Sequence, residues 1–291
     1  MEDTGTHIPF RKMNGLGNDF VVLDARSRPI PMNEDIAQAI SNRHTGIGCD
    51  QLIIIETDKH ADAFMRIHNS NGGEVDACGN ATRCIGDILM NENGSSSVSI
   101  RTNAGLLLCS RAAEPGMITA DMGAPKLRWD QIPIAEEMDT RQIELQIGPI
   151  DNPVLHSPSV VNVGNPHCIF WVDDVEAYDL ENIGPMLEHH PMFPERANIS
   201  LAHVTSPDSI TLKVWERGVG LTKACGSAAC AVLVAASRKG FTQRKATVHL
   251  PGGDLIIEWR EDDDHFLMSG PYCFEFDGTL PDAFFKTTVN S

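Results

Sequence analysis

The pattern of apolar and polar positions along the chain predicts a strand-rich α+β protein with few helices. Short apolar runs bounded by turn residues are typical of strands, and they lie at 51–56, 98–102, 106–111, 118–121, 143–147, 199–205, 210–215 and around the Pro251-Gly252-Gly253 turn. Helical spacing predicts helices at 81–90, 176–188 and 228–239, and the polar residues at 33–35 cap a further helix that runs to about Asn42.

An internal repeat with a constant offset of 147 residues runs through the chain. Ala77-Cys78-Gly79-Asn80-Ala81 matches Ala224-Cys225-Gly226-Ser227-Ala228, and Gly17-Asn18 matches Gly164-Asn165. At the same offset Gln51 falls on Asn198 and Asn69 falls on Glu216. Because four sets of polar positions share one register, we predict two equivalent α/β halves.

The halves are predicted to meet near the middle of the chain. Residues 1–123 form the first half and residues 124–271 the second, and the stretch 124–140, with two prolines and mixed charge, is the predicted linker.

Both cysteine motifs share a local pattern that places the thiol at the start of a helix. A strand-like run precedes a glycine-bearing turn and the Cys-Gly pair, and a helical stretch follows. The unpaired N–H groups of a helix N-terminus favour a thiolate and can lower its pKa, and they also bind carboxylates. Two such thiols related by a pseudo-twofold axis predict a racemase or epimerase, in which one thiolate removes an α-proton and the opposite thiol supplies another.

Composition narrows the class of partner. The net charge of −17 argues against nucleic acid and anionic membranes, which leaves a small-molecule substrate as the expected partner. The longest apolar run, at 228–236, is too short to span a bilayer, and the N-terminus lacks the pattern of a signal peptide. We therefore expect a cytoplasmic protein whose eight cysteines are thiols.

Cofactor and metal sites receive little support from the sequence. There is no Cys-x-x-Cys pair, and the adjacent residues His167 and Cys168 point apart on any regular element. Lys223 could form a Schiff base with pyridoxal phosphate, but no further glycine-rich phosphate cradle accompanies it. We expect no cofactor and no metal, and we interpret the six cysteines outside the repeated motifs as small buried hydrophobic residues.

These motifs together resemble the diaminopimelate epimerase family. The matching strings lie at 12–20, 43–51, 66–83, 164–168, 195–198 and 215–227. They follow the family order, and the resemblance extends from near residue 10 to near residue 271.

The resemblance implies a fold and a reaction. Each half would be a sheet wrapped around a central helix, with the substrate in the cleft between the halves and residues 272–291 returning to the first half. The substrate would be LL-2,6-diaminopimelate, converted reversibly to the meso form without a cofactor, in lysine and peptidoglycan precursor biosynthesis. The resemblance is compatible with a homodimer.

The resemblance also assigns roles to individual residues. Cys225 is implied as the base toward the LL isomer and Cys78 as the acid, while His167 and Glu216 tune the pKa of the thiols. The substrate-binding positions would be Asn18, Gln51, Asn69, Gly79, Asn80, Asn165, Asn198, Glu216, Arg217, Gly226 and Ser227.

Three other functions compete with this interpretation. A proline-type racemase would also use two cysteines, but its monocarboxylic substrate would not need Arg217 and three asparagines around a second polar end. In a thiol redox protein, Cys78 and Cys225 would form a disulfide couple, and the protein would have no stereochemical activity. A non-catalytic amino-acid-binding protein would bind its amino acid tightly without exchanging the α-hydrogen with solvent.

Overall fold

The computed structural model describes residues 7–285, which contain nineteen strands and four α-helices. The strands are β1 (Ile8–Gly15), β2 (Asn18–Asp24), β3 (Gln51–Glu56), β4 (Ala63–Asn69), β5 (Glu74–Val75), β6 (Ser97–Thr102), β7 (Gly105–Arg111), β8 (Met117–Asp121), β9 (Gln146–Ile147), β10 (Leu155–His156), β11 (Ser159–Asn162), β12 (Pro166–Trp171), β13 (Asn198–Ser206), β14 (Ser209–Glu216), β15 (Gly220–Thr222), β16 (Lys245–Leu250), β17 (Gly253–Trp259), β18 (Phe266–Pro271) and β19 (Cys273–Leu280). The α-helices are α1 (Glu34–Ser41), α2 (Gly79–Asn93), α3 (Leu180–Glu188) and α4 (Gly226–Arg238).

The chain folds into two compact units. The first unit runs to Ala120 and resumes at Gly270, and the second is the continuous segment Asp121–Ser269. Strand β19 belongs to the first unit, where it pairs antiparallel with β1 over Ile8–Asn14.

Each unit repeats the same order of strand pairing. In the first unit β2 runs parallel to β3, β3 antiparallel to β4, β4 parallel to β6, and β6 antiparallel to β7. In the second unit β12, β13, β14, β16 and β17 pair in the same order and with the same directions. The predicted pseudo-symmetric α/β fold is confirmed, and the 147-residue offset maps Gln51 and Asn198 onto the first residues of β3 and β13.

A buried helix occupies the centre of each unit. Every residue of α2 from Asn80 to Met90 is buried, and every residue of α4 from Ala228 to Ala236 is buried. A helix that is buried on all sides has no solvent face, which explains why α4 is rich in small apolar residues. Helix α4 contacts β11, β12, β13, β14, β16 and β17, so the sheet surrounds it.

Three local predictions need correction. Helix α3 begins at Leu180, not at residue 176, because Asp179 caps it, and only Gln146–Ile147 of the run 143–147 pairs as a strand. The predicted linker 124–140 is part of the second unit, since Ile132 and Ile134 are buried in its core.

Among residues 7–285 no helix combines the length and the apolar character needed to cross a bilayer.

Candidate functional site

Cys78 and Cys225 occupy equivalent positions at the ends of the two central helices. Each is the N-cap residue, with extended backbone angles of φ −148° and ψ 109° at Cys78 and φ −132° and ψ 107° at Cys225. The next two residues, Gly79-Asn80 and Gly226-Ser227, begin the helix, so their N–H groups have no acceptor within it. Each helix start therefore offers a thiol beside an anion-binding group of amides.

The predicted residues of the first unit, which we call the Cys78 cluster (Asn18, Gln51, Asn69, Cys78, Gly79 and Asn80), form two hydrogen-bonded sets, one at Cys78 and one at Gln51 and Asn69. The Cys78 thiol donates to Asn18 Oδ1 at 3.7 Å and accepts the amide of Ala81 at 3.5 Å. Asn80 Nδ2 donates to the same Asn18 oxygen at 3.4 Å.

Gln51 and Asn69 lie side by side on neighbouring strands of the Cys78 cluster. They are register partners of β3 and β4, and Gln51 Nε2 donates to Asn69 Oδ1 at 2.9 Å. The oxygen Gln51 Oε1 is buried and has no hydrogen-bond partner among the described residues. A buried acceptor without a partner is costly, and an ammonium group would satisfy it.

The predicted residues of the second unit form the Cys225 cluster (Asn165, His167, Asn198, Glu216, Arg217, Cys225, Gly226 and Ser227). Burial raises the pKa of the Cys225 thiol well above its ordinary value, the nearby Glu216 carboxylate adds to this rise, and the Ser227 hydroxyl, 3.4 Å from Cys225 Sγ, opposes it. The expected lowering of the thiol pKa at a helix N-terminus is wrong for Cys225, because desolvation outweighs the helix end.

Glu216 is held at the end of β14 by a residue that the sequence analysis missed. Burial raises the pKa of the Glu216 carboxyl, and hydrogen bonds with Thr222 and Cys225 oppose the rise. The Thr222 hydroxyl donates to Glu216 Oε1 across the β14–β15 hairpin. In the sequence, Gly218 and Gly220 indicate the tight turn that brings Thr222 back to Glu216. In the structure both glycines have positive φ angles, of 74° and 106°.

His167 is fully buried and neutral. Burial, and next the positive charge of Arg217, lower the pKa of His167 to about 3. Its Nε2 lies 2.7 Å from Asn165 Oδ1, so that nitrogen carries the proton, and the buried Nδ1 has no partner among the described residues. The described contact of His167 is thus with the Asn165 amide, and its effect on the thiols stays a prediction.

Arg217 is an exposed cation without an acidic partner among the residues that the structure describes. Its Nη1 donates to the Glu195 carbonyl at 2.9 Å, and its backbone N–H donates to Asn198 Oδ1 at 2.9 Å. Asn198 also donates to the Pro166 carbonyl, so its amide holds the loop that carries Arg217.

Comparison with known proteins identifies the family. The family model described as diaminopimelate epimerase matches residues 10–128 and 159–274. A diaminopimelate epimerase of Nitrobacter hamburgensis is 53% identical over 283 residues, covering 96% of this chain and 97% of that protein. One of Rhodopseudomonas palustris is 54% identical over 284 residues, covering 97% of each. The chain belongs to the diaminopimelate epimerase family.

Solved structures resemble this diaminopimelate epimerase family member in fold. A phenazine biosynthesis protein of the PhzF family from Bacillus anthracis has a TM-score of 0.66 at 15% identity, covering 94% of this chain and 99% of that one. A probable proline racemase from Agrobacterium radiobacter has a TM-score of 0.66 at 12% identity, covering 96% of this chain and 94% of that one. At these identities the likeness shows the fold alone.

One group of side chains that could ligate a metal ion in this family member is not part of the Cys225 cluster. Asp121, Asp263 and His265 lie within 4.8 Å of one another, but the guanidinium of Arg260 binds Asp121 at 2.8 Å and Asp263 at 2.5 Å. A guanidinium between two carboxylates already neutralises the charge that a cation would need. Among the described residues this group does not fit a metal.

Proposed function

We propose that this family member is a cofactor-independent epimerase that interconverts LL-2,6-diaminopimelate and meso-diaminopimelate by proton transfer between Cys78 and Cys225. The product would serve lysine and peptidoglycan precursor biosynthesis. The proposal depends on one observation above all: each of two equivalent buried helices begins at a cysteine N-cap.

The proposed reaction needs a thiol on each face of the α-carbon. Toward the meso product, the Cys225 thiolate takes the α-proton and becomes a thiol, and the electron pair of the C–H bond moves into the carboxylate. Cys78 then gives its S–H proton to the opposite face and becomes a thiolate. The roles exchange in the reverse direction, and the number of protons on the pair is unchanged.

The burial of Cys225 affects its proposed role as the base in two opposite ways. A thiolate in a buried position with a raised pKa is scarcer, but it is a stronger base toward a weakly acidic α-proton. The charge that develops on the substrate carboxylate would be stabilised by the first amides of the helices, at Gly79-Asn80 and Gly226-Ser227.

The two clusters contain groups that complement the ammonium and carboxylate groups of the substrate. The unsatisfied oxygen of Gln51 suits an ammonium group, and the Asn18 and Asn69 amides lie in the same cluster. In the Cys225 cluster, Arg217 has no acidic partner among the described residues, and its planar fork suits a carboxylate. As the resemblance implies, we assign Asn18 and Gln51 to the reacting amino group, and Arg217 to the distal carboxylate, supported by Asn69, Asn165, Asn198 and Glu216.

The test follows deuterium from solvent into LL-diaminopimelate with no cofactor added. Early in the reaction in D₂O, we expect deuterium at the inverted carbon of the meso product, while the remaining LL pool stays unlabelled. The reason is that the donating thiol exchanges with solvent, whereas the removed proton sits on the other thiol. Mass spectrometry of the separated isomers measures both pools.

Variants at the two thiols complete this test. Cys78→Ala and Cys225→Ala should each abolish inversion. Cys273→Ala should not, since Cys273 is exposed on β19, where the expectation of a buried cysteine is wrong. Equal labelling of both pools would contradict the two-thiol mechanism. Turnover of proline in place of diaminopimelate would favour the proline-type alternative, and activity lost on chelation would contradict the absence of a metal.

A further inference from the structure

A chain of hydrogen bonds connects a buried cation to a carboxylate through two amides of the Cys78 cluster. Arg83, with no exposed surface, donates from Nη2 to Asn80 Oδ1 at 2.9 Å. Asn80 Nδ2 donates to Asn18 Oδ1 at 3.4 Å, and Asn18 Nδ2 donates to Asp50 Oδ2 at 3.2 Å.

The two charged ends determine how both amides are oriented. Only the oxygen of Asn80 can accept from Arg83, and only the nitrogen of Asn18 can donate to Asp50. The Asn18 oxygen therefore points away from Asp50, and it accepts both from Asn80 and from the Cys78 thiol at 3.7 Å.

Asp50 is itself held rigidly by a network of charges. Its Oδ2 also accepts the Asp19 amide at 3.0 Å, and the Asp50 amide donates to Asp19 Oδ1 at 3.0 Å. Arg43 bridges the two carboxylates at 2.6 and 2.7 Å, and Lys12 donates to Asp19 and to the Gly48 carbonyl. Burial would raise the pKa of Asp19, but the hydrogen bonds from Arg43 and Lys12 outweigh it and lower that pKa. Asp19 therefore stays ionised at neutral pH.

We propose that Asp50 is a positioning residue: by orienting the Asn18 amide it keeps a hydrogen-bond acceptor against Cys78 Sγ and so holds Cys78 in the protonated, proton-donating form. The role of Cys78 as acid rests on the proposed function, but the orientation of the amide does not.

The polarity of the amide decides which form of the sulfur is favoured. A carbonyl oxygen accepts from a thiol and repels a thiolate, whereas an amide N–H donates to a thiolate. Without Asp50 only the 3.4 Å hydrogen bond from Asn80 still orients the Asn18 amide, so the amide turns more readily and can present its N–H groups to the sulfur. The loss of one carboxylate therefore changes the proton affinity of a thiol that it does not touch.

Other charged and titratable groups also surround Cys78 in the first unit. Arg83 reaches it through Asn80, the buried thiol of Cys84 lies nearby in α2, and the Lys12–Asp19–Arg43 network lies behind Asp50. A direct electric field from Asp50 has to be separated from an effect through Asn18, and a double-mutant cycle does this.

The experiment measures the alkylation rate of Cys78 by iodoacetamide as a function of pH, with peptide quantification by mass spectrometry. Asp50→Ala is expected to lower the apparent pKa of Cys78 by about one unit, a tenfold change in the thiolate fraction. If the alanine variant fails to fold, Asp50→Leu replaces it, because leucine has a comparable size and no hydrogen-bond acceptor, and the same shift is expected. Asp24→Ala removes a carboxylate from the same unit that pairs with Arg26, and it should leave the pKa unchanged.

The decisive comparison repeats Asp50→Ala in an Asn18→Ala background. If Asp50 acts through the amide, the second substitution causes no further shift. A shift of equal size in that background, or no shift in the wild-type background, overturns the proposal. The alkylation needs no turnover, so these outcomes are independent of whether the deuterium experiment supports the two-thiol mechanism.

Discussion

At the scale of single residues, His167 shows how burial decides the state of a titratable group. The ring is fully buried and neutral, with a pKa of about 3 and an unsatisfied Nδ1. Its remaining hydrogen bond fixes the Asn165 amide with the oxygen toward the ring, so the Asn165 nitrogen is directed away from His167. The sequence shows the histidine but not this neutral state.

The pKa of His167 makes the folding stability sensitive to mild acid. In the unfolded chain the imidazole takes up a proton below its ordinary pKa of 6.5, whereas the folded protein does so only near 3. Stability is therefore lost as the pH falls from 6.5, by about 2 kcal/mol at pH 5. We expect urea denaturation of the wild type to show this extra loss between pH 7 and pH 5 relative to His167→Gln. Parallel curves for the two proteins would contradict a neutral buried ring.

At the scale of elements, the two helix starts are alike in backbone but differ in how the thiol is used. The Cys78 side chain accepts the amide of Ala81 at 3.5 Å and so caps α2, whereas the Cys225 thiol meets the equivalent amide, that of Ala228, only in a geometry short of a capping hydrogen bond. Cys78 thus has a structural role in addition to its proposed chemical one.

Serine and alanine at position 78 separate these two roles. Serine is a good N-cap and alanine is not, so Cys78→Ser should be more stable than Cys78→Ala by about 1 kcal/mol, while both lose epimerase activity. Chemical denaturation and the epimerase assay measure the two effects. In the control pair at Cys84, a buried position inside α2, serine should not be more stable than alanine. An active Cys78→Ser enzyme would contradict the proposed role of the thiol.

At the scale of the whole molecule, the two units differ in how the chain builds them. The second unit is continuous and contains its own core cluster, which includes Ile132, Phe170 and Leu201. The first unit is completed by β19, and Leu280 packs in a core cluster with Ile8 and Phe10.

This difference predicts how fragments fold. The fragment 121–269 should unfold cooperatively on its own, whereas 1–120 should not, because β1 keeps β2 but loses its second partner strand, β19, and the cluster loses Leu280. Thermal melts followed by circular dichroism test this. Joining residues 270–291 to the fragment 1–120 through a flexible linker is the control, and it should restore a cooperative transition. A cooperative melt of 1–120 alone would show that β19 is dispensable.

The sequence by itself determined the repeat, the helix that follows each Cys-Gly pair and the family. These features are local or periodic: an N-cap, a glycine turn and a constant offset of 147 residues can be identified without knowing which strands pair. The resemblance to the diaminopimelate epimerase family named the residues of the Cys78 cluster, and their binding roles stay predictions.

Only the tertiary structure decided the electrostatics and the supporting contacts. The pKa of Cys225 is raised rather than lowered, because the number of atoms that exclude water from the thiol depends on packing from all sides. Thr222, Asp50 and Arg83 acquire their roles from hydrogen bonds that depend on the strand register and on how α2 packs in the first unit. Periodicity shows which residues are buried, but the direction of an amide or the charge on a thiol depends on contacts between residues distant in sequence.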